Sequence, residues 1–219
     1  MTAKVREIFN FSRQPDTPFA PTWNYYLAEG EVTFDTQDLK NEILFKEEKI
    51  ISSYEYVSDW GTKLGPNSLT SRSGNYNILH FENSSELKTS IKKFHDEFIN
   101  AIDFVLPSEL YVQCWANVMR GKQKIAPHIH NPTPSCYLSG HLCVQVENTG
   151  TYYVNPFTEE AWKSENNNGK FTLFPSWIKH YTDRVPDEQV RITLAFDIIR
   201  KKEYDMHITD EKKNHWVKL

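Results

Sequence analysis

The sequence predicts a mainly β fold with flanking helices, a jelly roll or small barrel with the helices packed outside one sheet. Three observations lead there. Helical periodicity is confined to the first half of the chain, short strand-like segments fill the second half, and those segments alternate between a greasy face and a mixed polar face. Helices first and strands later suit layers in which helices cover one side of a sheet. With 219 residues the chain has room for one domain with a real hydrophobic core. We read it as a single domain over 1–219, with a bracing region at 1–110, a β core at 111–199 and a C-terminal extension at 200–219.

Taken in order, residues 1–20 hold Pro15 and Pro18, with Pro21 just beyond, and read as an extended arm. WNYYLAEGEV, 23–32, reads as a strand. Asp35 then stands where a helix cap is expected, with Asp38 in the first turn and Leu39, Ile43 and Ile50 on one stripe. The polar, turn-rich stretch GPNSLTSRSGNYN, 65–77, reads as a surface loop long enough to act as a lid. Asn83 or Ser84 opens a second helix with Glu86 in its first turn. Leu87, Ile91, Phe94, Phe98 and Ile102 follow at helical spacing, and Pro107 ends the segment. Strands are expected at 111–119, 138–146, 151–155, 170–174 and 190–199.

The faces of these strands carry more information than their positions. Val112, Cys114, Ala116 and Val118 share one face, with Tyr111, Gln113, Trp115 and Asn117 on the other. Leu142, Val144 and Val146 oppose Ser139, His141, Cys143 and Gln145. Val190, Ile192, Leu194, Phe196 and Ile198 oppose Arg191, Thr193 and Asp197. Side chains alternate across a strand, so the greasy rows can meet the helices while the mixed rows face either solvent or an internal cavity. Trp115, Cys143 and Tyr111 sit poorly in water, which favours a cavity.

Composition narrows the function classes. The formal net charge is -4, which offers no phosphate-tracking surface, so nucleic acid is not the expected partner. No apolar run approaches the roughly 20 residues that span a bilayer, and MTAKVREIFNFSRQ lacks the apolar core of a secretory signal. Three cysteines (Cys114, Cys136, Cys143) give no even disulfide framework, which fits a reduced, cytoplasmic setting. A homodimer is compatible with the sequence, which does not fix the oligomeric state.

One constellation points to chemistry. APHIHN carries His128 and His130 two apart, which on a strand would place both imidazoles on one face. His180 follows in FPSWIKH, after a predicted strand. Two neighbouring ligands and a distant third make a metal site with open positions, and imidazole suits iron, zinc or copper. Surface or hydrogen-bonded histidines would also explain an isolated H-x-H. His95, His141, His207 and His215 lack a partner pattern and read as structural or exposed. Arg191 lies eleven positions after His180, with Thr193 on the same face. A guanidinium binds a carboxylate through two parallel hydrogen bonds and a hydroxyl adds a third, although a salt bridge on an edge strand would account for a lone arginine.

At these residues the chain resembles the 2-oxoglutarate/Fe(II) oxygenase superfamily, in its prolyl-hydroxylase-like branch. The resemblance covers about 111–199 and rests on WANV, PHIHNP, LSG, GKFTLFPSWIKH and VRITLAFD. It implies a double-stranded β-helix, a cupin-like jelly roll, braced by the N-terminal helices. It implies Fe(II) as the metal and 2-oxoglutarate as cosubstrate, with His128 and His180 as ligands. It further implies that Arg191 and Thr193 bind the distal carboxylate of 2-oxoglutarate, with Asn117 near a position that often adds a polar contact. The implied reaction hydroxylates a C–H bond of a peptidyl or small-molecule substrate and releases succinate and CO2. One departure stands out: the family's H-x-D is here His128-x-His130, which keeps the ligand count but removes a negative charge. Asp183, three residues past His180, is an alternative carboxylate, but its stretch YTDRVPD reads as a turn, and His130 has the matching spacing. Two rival readings are a cupin-type metalloenzyme and a barrel that kept the fold without catalysis. Against the cupin reading, no glutamate follows His130 at the short spacing that family uses, and FPSWIKH lacks the glycine of its second motif.

Overall fold

The β core is laid down by a run of antiparallel pairings in a computed structural model that describes residues 3–9, 17, 24–133 and 135–219. The described strands are β1 (Lys4–Phe9), β2 (Tyr25–Glu31), β3 (Leu110–Arg120), β4 (Leu138–Gln145), β5 (Gly150–Val154), β6 (Ala161–Glu165), β7 (Lys170–Pro175), β8 (His180–Thr182), β9 (Val190–Arg200) and β10 (Val217–Lys218). The helices are α1 (Gln37–Ser53), α2 (Ser85–Ala101), α3 (Lys201–His207) and α4 (Asp210–Lys213). The larger sheet has seven strands in the order β1-β2-β7-β4-β9-β3-β10, and a smaller one has three in the order β6-β5-β8. Two facing antiparallel sheets with the chain crossing between them make a jelly roll. The N-terminal stretch contributes directly: Lys4–Phe9 pairs with β2, and β2 pairs with β7. Pro15, Pro18 and Pro21, on which the extended-arm reading turned, lie outside the described residues.

The greasy rows pack as periodicity predicts. Leu39, Ile43 and Ile50 of α1 and Leu87, Ile91, Phe94 and Phe98 of α2 are buried in one cluster with Val112, Cys114, Ala116, Leu142, Ile192, Leu194 and Phe196. Phe94 meets Phe171 edge-on at 4.9 Å, the favoured arrangement for two buried rings. Where β4 crosses β9, Gly140 is opposite Phe196, and a Cβ at Gly140 would collide with that ring and with the Thr172 carbonyl oxygen. Glycine is therefore required there for close approach.

Two local expectations are revised. Asp35 sits one residue before the cap position, which Thr36 occupies, and accepts the Gln37 backbone N–H at 2.9 Å. The 65–77 stretch is a packed wall. Ser68 through Ser73 are buried, and the Arg72 guanidinium donates to the carbonyl oxygens of Tyr54, Pro66 and Ile51. A polar sequence resembles a surface loop, but here its polarity is spent on internal hydrogen bonds that permit burial. Among the described residues no helix is long and apolar enough to cross a membrane.

Candidate active site

His128 and His130 lie between β3 and β4 on a segment that is not a regular strand, contrary to expectation. A single antiparallel bridge joins His128 to His180, each donating its backbone N–H to the other's carbonyl at 3.1 and 3.0 Å. Two residues on, the His130 N–H donates to the Ser176 carbonyl at 2.9 Å. The segment thus follows the course of a strand without the full ladder, and alternation still sends both imidazoles to one side.

All three rings are oriented in the same manner. Each Nδ1 has an acceptor: the Ala126 carbonyl for His128 at 2.9 Å, the Ile178 carbonyl for His180 at 3.0 Å, and the Asp197 carboxylate for His130 at 2.5 Å. The nitrogen left free on each ring is Nε2, and one nitrogen from each of the three lies within 4.8 Å of the others. Metal-binding histidines are fixed in this way, with the outer N–H tethered and the other lone pair aimed inward. Ring centroids are 4.4 to 5.3 Å apart, Phe174 packs 4.7 Å from His180, and Trp115 is 5.6 Å from His130. Burial pulls the His128 imidazole down to about 4, and the neighbouring His130 pulls it the same way. Burial, then His128 and His130, drive His180 well below its ordinary value. Three imidazoles converging on one point could hold a divalent cation.

The inward row of β9 continues from this point. Register pairs Thr193 with Asn117 and with Cys143, Ala195 with Trp115 and with His141, and Asp197 with Gln113 and with Ser139. Arg191 is only 3 % exposed, and among the described residues its one side-chain hydrogen bond is a long one, Nη1 to Thr193 Oγ1 at 3.4 Å. Among the described residues no carboxylate forms an ion pair with it. Among the described residues its Nε and His141 Nε2 are buried without a hydrogen-bond partner, while the Tyr153 and Thr172 hydroxyls lie against each other. Burial, reinforced by Arg191, pulls His141 down to about 3. An unpaired buried guanidinium beside unsatisfied donors is costly unless a ligand supplies acceptors.

Other predicted residues fall as follows. Asn117 accepts from Thr70 Oγ1 at 2.5 Å, which leaves its amide Nδ2 as the available donor. Asp183 is engaged elsewhere, accepting from Gly150 N at 2.8 Å and Tyr152 Oη at 2.9 Å, with Lys163 at 3.4 Å. Tyr111 does not reach the cavity; it stacks on Tyr204 at 3.7 Å. Sequence reasoning placed Asp197 on the correct face but assigned it no role, and it passed over Tyr153, Thr172 and Thr70. Asp197 alone had a visible signal, since it shares the alternation of Arg191 and Thr193.

Two cavities flank the histidines. One, of about 400 Å³, is lined by Trp60, Thr70, Trp115, Asn117, His128 and His130 among others. A second, of about 550 Å³, is lined by residues including Asn131, Tyr137, Ser176, Glu203 and Trp216. Both share Gln113, His130 and Asp197, so the His130–Asp197 pair has open space on two sides.

By sequence the chain matches no family profile and no curated protein. Its fold does match solved structures. A Pseudomonas putida prolyl-4-hydroxylase aligns with a TM-score of 0.54 at 10% identity, over 80% of this chain and 92% of that one. The non-heme alpha-ketoglutarate-dependent carbocyclase SnoK from nogalamycin biosynthesis aligns with a TM-score of 0.53 at 10% identity, over 80% and 79%. A Trichoplax adhaerens prolyl hydroxylase, solved with a hypoxia inducible factor oxygen degradation domain peptide fragment, aligns at 0.52 and 10% identity over 84% and 87%. At these identities the likeness is one of fold. The fold is the jelly roll of the 2-oxoglutarate/Fe(II) oxygenases. Prolyl hydroxylases are among the proteins whose fold it shares.

Proposed function

We propose that the chain is an iron(II)- and 2-oxoglutarate-dependent oxygenase that hydroxylates an extended, peptidyl substrate. The observation that carries this reading is Arg191, a buried guanidinium without a carboxylate partner among the described residues, on the β9 row that also carries Asp197, the partner of His130. A cupin-type metalloenzyme would have no use for it, and a barrel kept only for its fold would gain from losing it.

His128, His130 and His180 would hold the metal through Nε2, with their tethered Nδ1 atoms fixing tautomer and ring angle. Arg191 and Thr193 would bind the distal carboxylate of 2-oxoglutarate, with Arg191 Nε as a further donor. The Asn117 amide would supply a further donor at the cavity wall. Phe174, Trp115 and Tyr153 keep bulk water from the reacting end. When bound, iron with 2-oxoglutarate supplies the oxygen-dependent C–H oxidation, with succinate and CO2 leaving. The protein's own contribution is orientation and exclusion of water.

The extended substrate is suggested by the open space on both sides of His130 and by the approach to it. Tyr54, Tyr56, Val57 and Trp60 are all exposed, and Trp60 forms part of the wall of the smaller cavity. Exposed apolar side chains close in sequence to the wall of a cleft suit a chain laid across the site. The test is succinate release with iron, 2-oxoglutarate and oxygen in the presence of a peptide library. The expected result is peptide-stimulated succinate with products heavier by one oxygen atom. Stimulation by small metabolites alone would overturn the peptidyl assignment, and no succinate from metal-loaded protein under any condition would overturn the oxygenase.

A further inference from the structure

We propose that Asp197 is a positioning residue that returns to the three-histidine centre the negative charge its H-x-H motif lacks, acting through His130. The inference rests on the metal-binding reading above. Replacing a ligating carboxylate by an imidazole leaves a divalent ion with neutral ligands only. The structure offers a carboxylate one ring away. His128 and His180 direct Nδ1 to neutral backbone carbonyls, whereas His130 alone directs it to a carboxylate, and at the shortest distance of the three, 2.5 Å. A carboxylate accepting that N–H makes the imidazole a stronger donor toward a metal at Nε2.

The arrangement is built by strand register. Asp197 of β9 lies directly opposite Gln113 of β3 and Ser139 of β4. Ser139 Oγ donates to Oδ1 at 2.6 Å, the oxygen that also receives His130, and Gln113 Nε2 donates to Oδ2 at 3.2 Å. Gln113 is oriented in turn by His215 Nε2 against its Oε1 at 3.2 Å. Both supporting donors are neutral, and no lysine or arginine pairs with Asp197 among the described residues. Its charge is therefore directed at His130. Asp197 itself is not aimed at the meeting point, because the His130 ring stands between the carboxylate and the free Nε2. The pair also borders both cavities, so a substrate crossing the site would pass beside it.

Asp197→Asn keeps an oxygen to accept the His130 N–H and removes the charge. We expect folded protein by circular dichroism, metal affinity lowered about 10- to 100-fold in anaerobic competition against a chromophoric chelator, and an iron(III)/iron(II) midpoint potential shifted upward. The shift in potential separates charge donation from a merely structural role. Asp197→Glu, which keeps the charge, should restore part of both. Parent-like affinity and potential in Asp197→Asn would overturn the proposal. So would metal lost from Asp197→Ala but retained in His130→Ala, which would make Asp197 itself a ligand. A parent protein that binds no divalent metal would instead overturn the metal reading on which this rests.

Discussion

On the outward face of β3 and β9, Val112, Cys114, Ala116, Ile192, Leu194 and Phe196 are packed against two helices. On the inward face of the same two strands stand Gln113, Trp115, Asn117, Arg191, Thr193 and Asp197. The outward row has only van der Waals contacts to satisfy, and it satisfies them. Among the described residues the inward row holds a guanidinium without a counter-ion, and the neighbouring strand adds an unpartnered nitrogen on His141. Natural sequences break the rule of satisfied burial mainly where a ligand completes the site. The outward face is therefore read as stability, and the inward face as function kept at some cost to stability.

The largest expected difference between the faces is in acid. On the inward side His128 and His141 are drawn to about 4 and 3, with burial the first cause in each case, and His180 is also lowered. These groups are neutral when folded but take up protons near 6.5 once unfolded. Stability should therefore be fully present above about pH 6.5 and be lost progressively as pH falls toward 4. At pH 5 the deeply buried His141 alone should cost about 2 kcal/mol. Urea melts of metal-free protein between pH 7 and 5 should show this decline, and His141→Leu should flatten part of it. A pH-independent midpoint would contradict the account.

On the outward face, Phe94→Ala should cost about 3–5 kcal/mol at every pH, because it leaves a hole against Phe171. Metal affinity of the folded fraction should not change. A loss that depended on pH, or that altered metal binding, would mean the two faces are not independent.

Asp183→Ala sharpens the boundary of the site. It removes the acceptor for Gly150 N and Tyr152 Oη, so a loss of about 1–3 kcal/mol is expected with metal affinity intact. His130→Ala should lose the metal instead. The reverse pattern would restore a carboxylate ligand and contradict the three-histidine centre.

The smallest expected effect concerns 65–77. Because Ser68–Ser73 are buried and Thr70 is bonded to Asn117, limited proteolysis should cut there no faster without metal and 2-oxoglutarate than with them. Ligand-dependent protection would revive the lid.

Much of the outward face was legible because periodicity is a local signal. Leu39, Ile43, Leu87, Ile91 and Phe94 announce their buried stripe at helical spacing, and the alternation in VRITLAFDI separates Arg191, Thr193 and Asp197 from the core row. The convergence of His128, His130 and His180 was legible through spacing joined to family resemblance, although the strand imagined for the first two is a single bridge. What the sequence hid was pairing. Nothing local indicates that Asp197 faces His130 across 67 positions, that Thr70 reaches Asn117 across 47, or that Tyr153 faces the inward row. The 65–77 stretch misled because polar residues satisfied internally have the same composition as polar residues in water.

The central claim is that a carboxylate of 2-oxoglutarate completes Arg191. Calorimetric titration of 2-oxoglutarate into anaerobic, iron-loaded protein tests it directly. The parent should bind one equivalent. Arg191→Leu should bind more weakly by about 2–5 kcal/mol, thirtyfold or more, while keeping its iron and melting no lower than the parent in the absence of ligand. Equal affinity in the two proteins, or destabilisation of Arg191→Leu without ligand, would contradict the account.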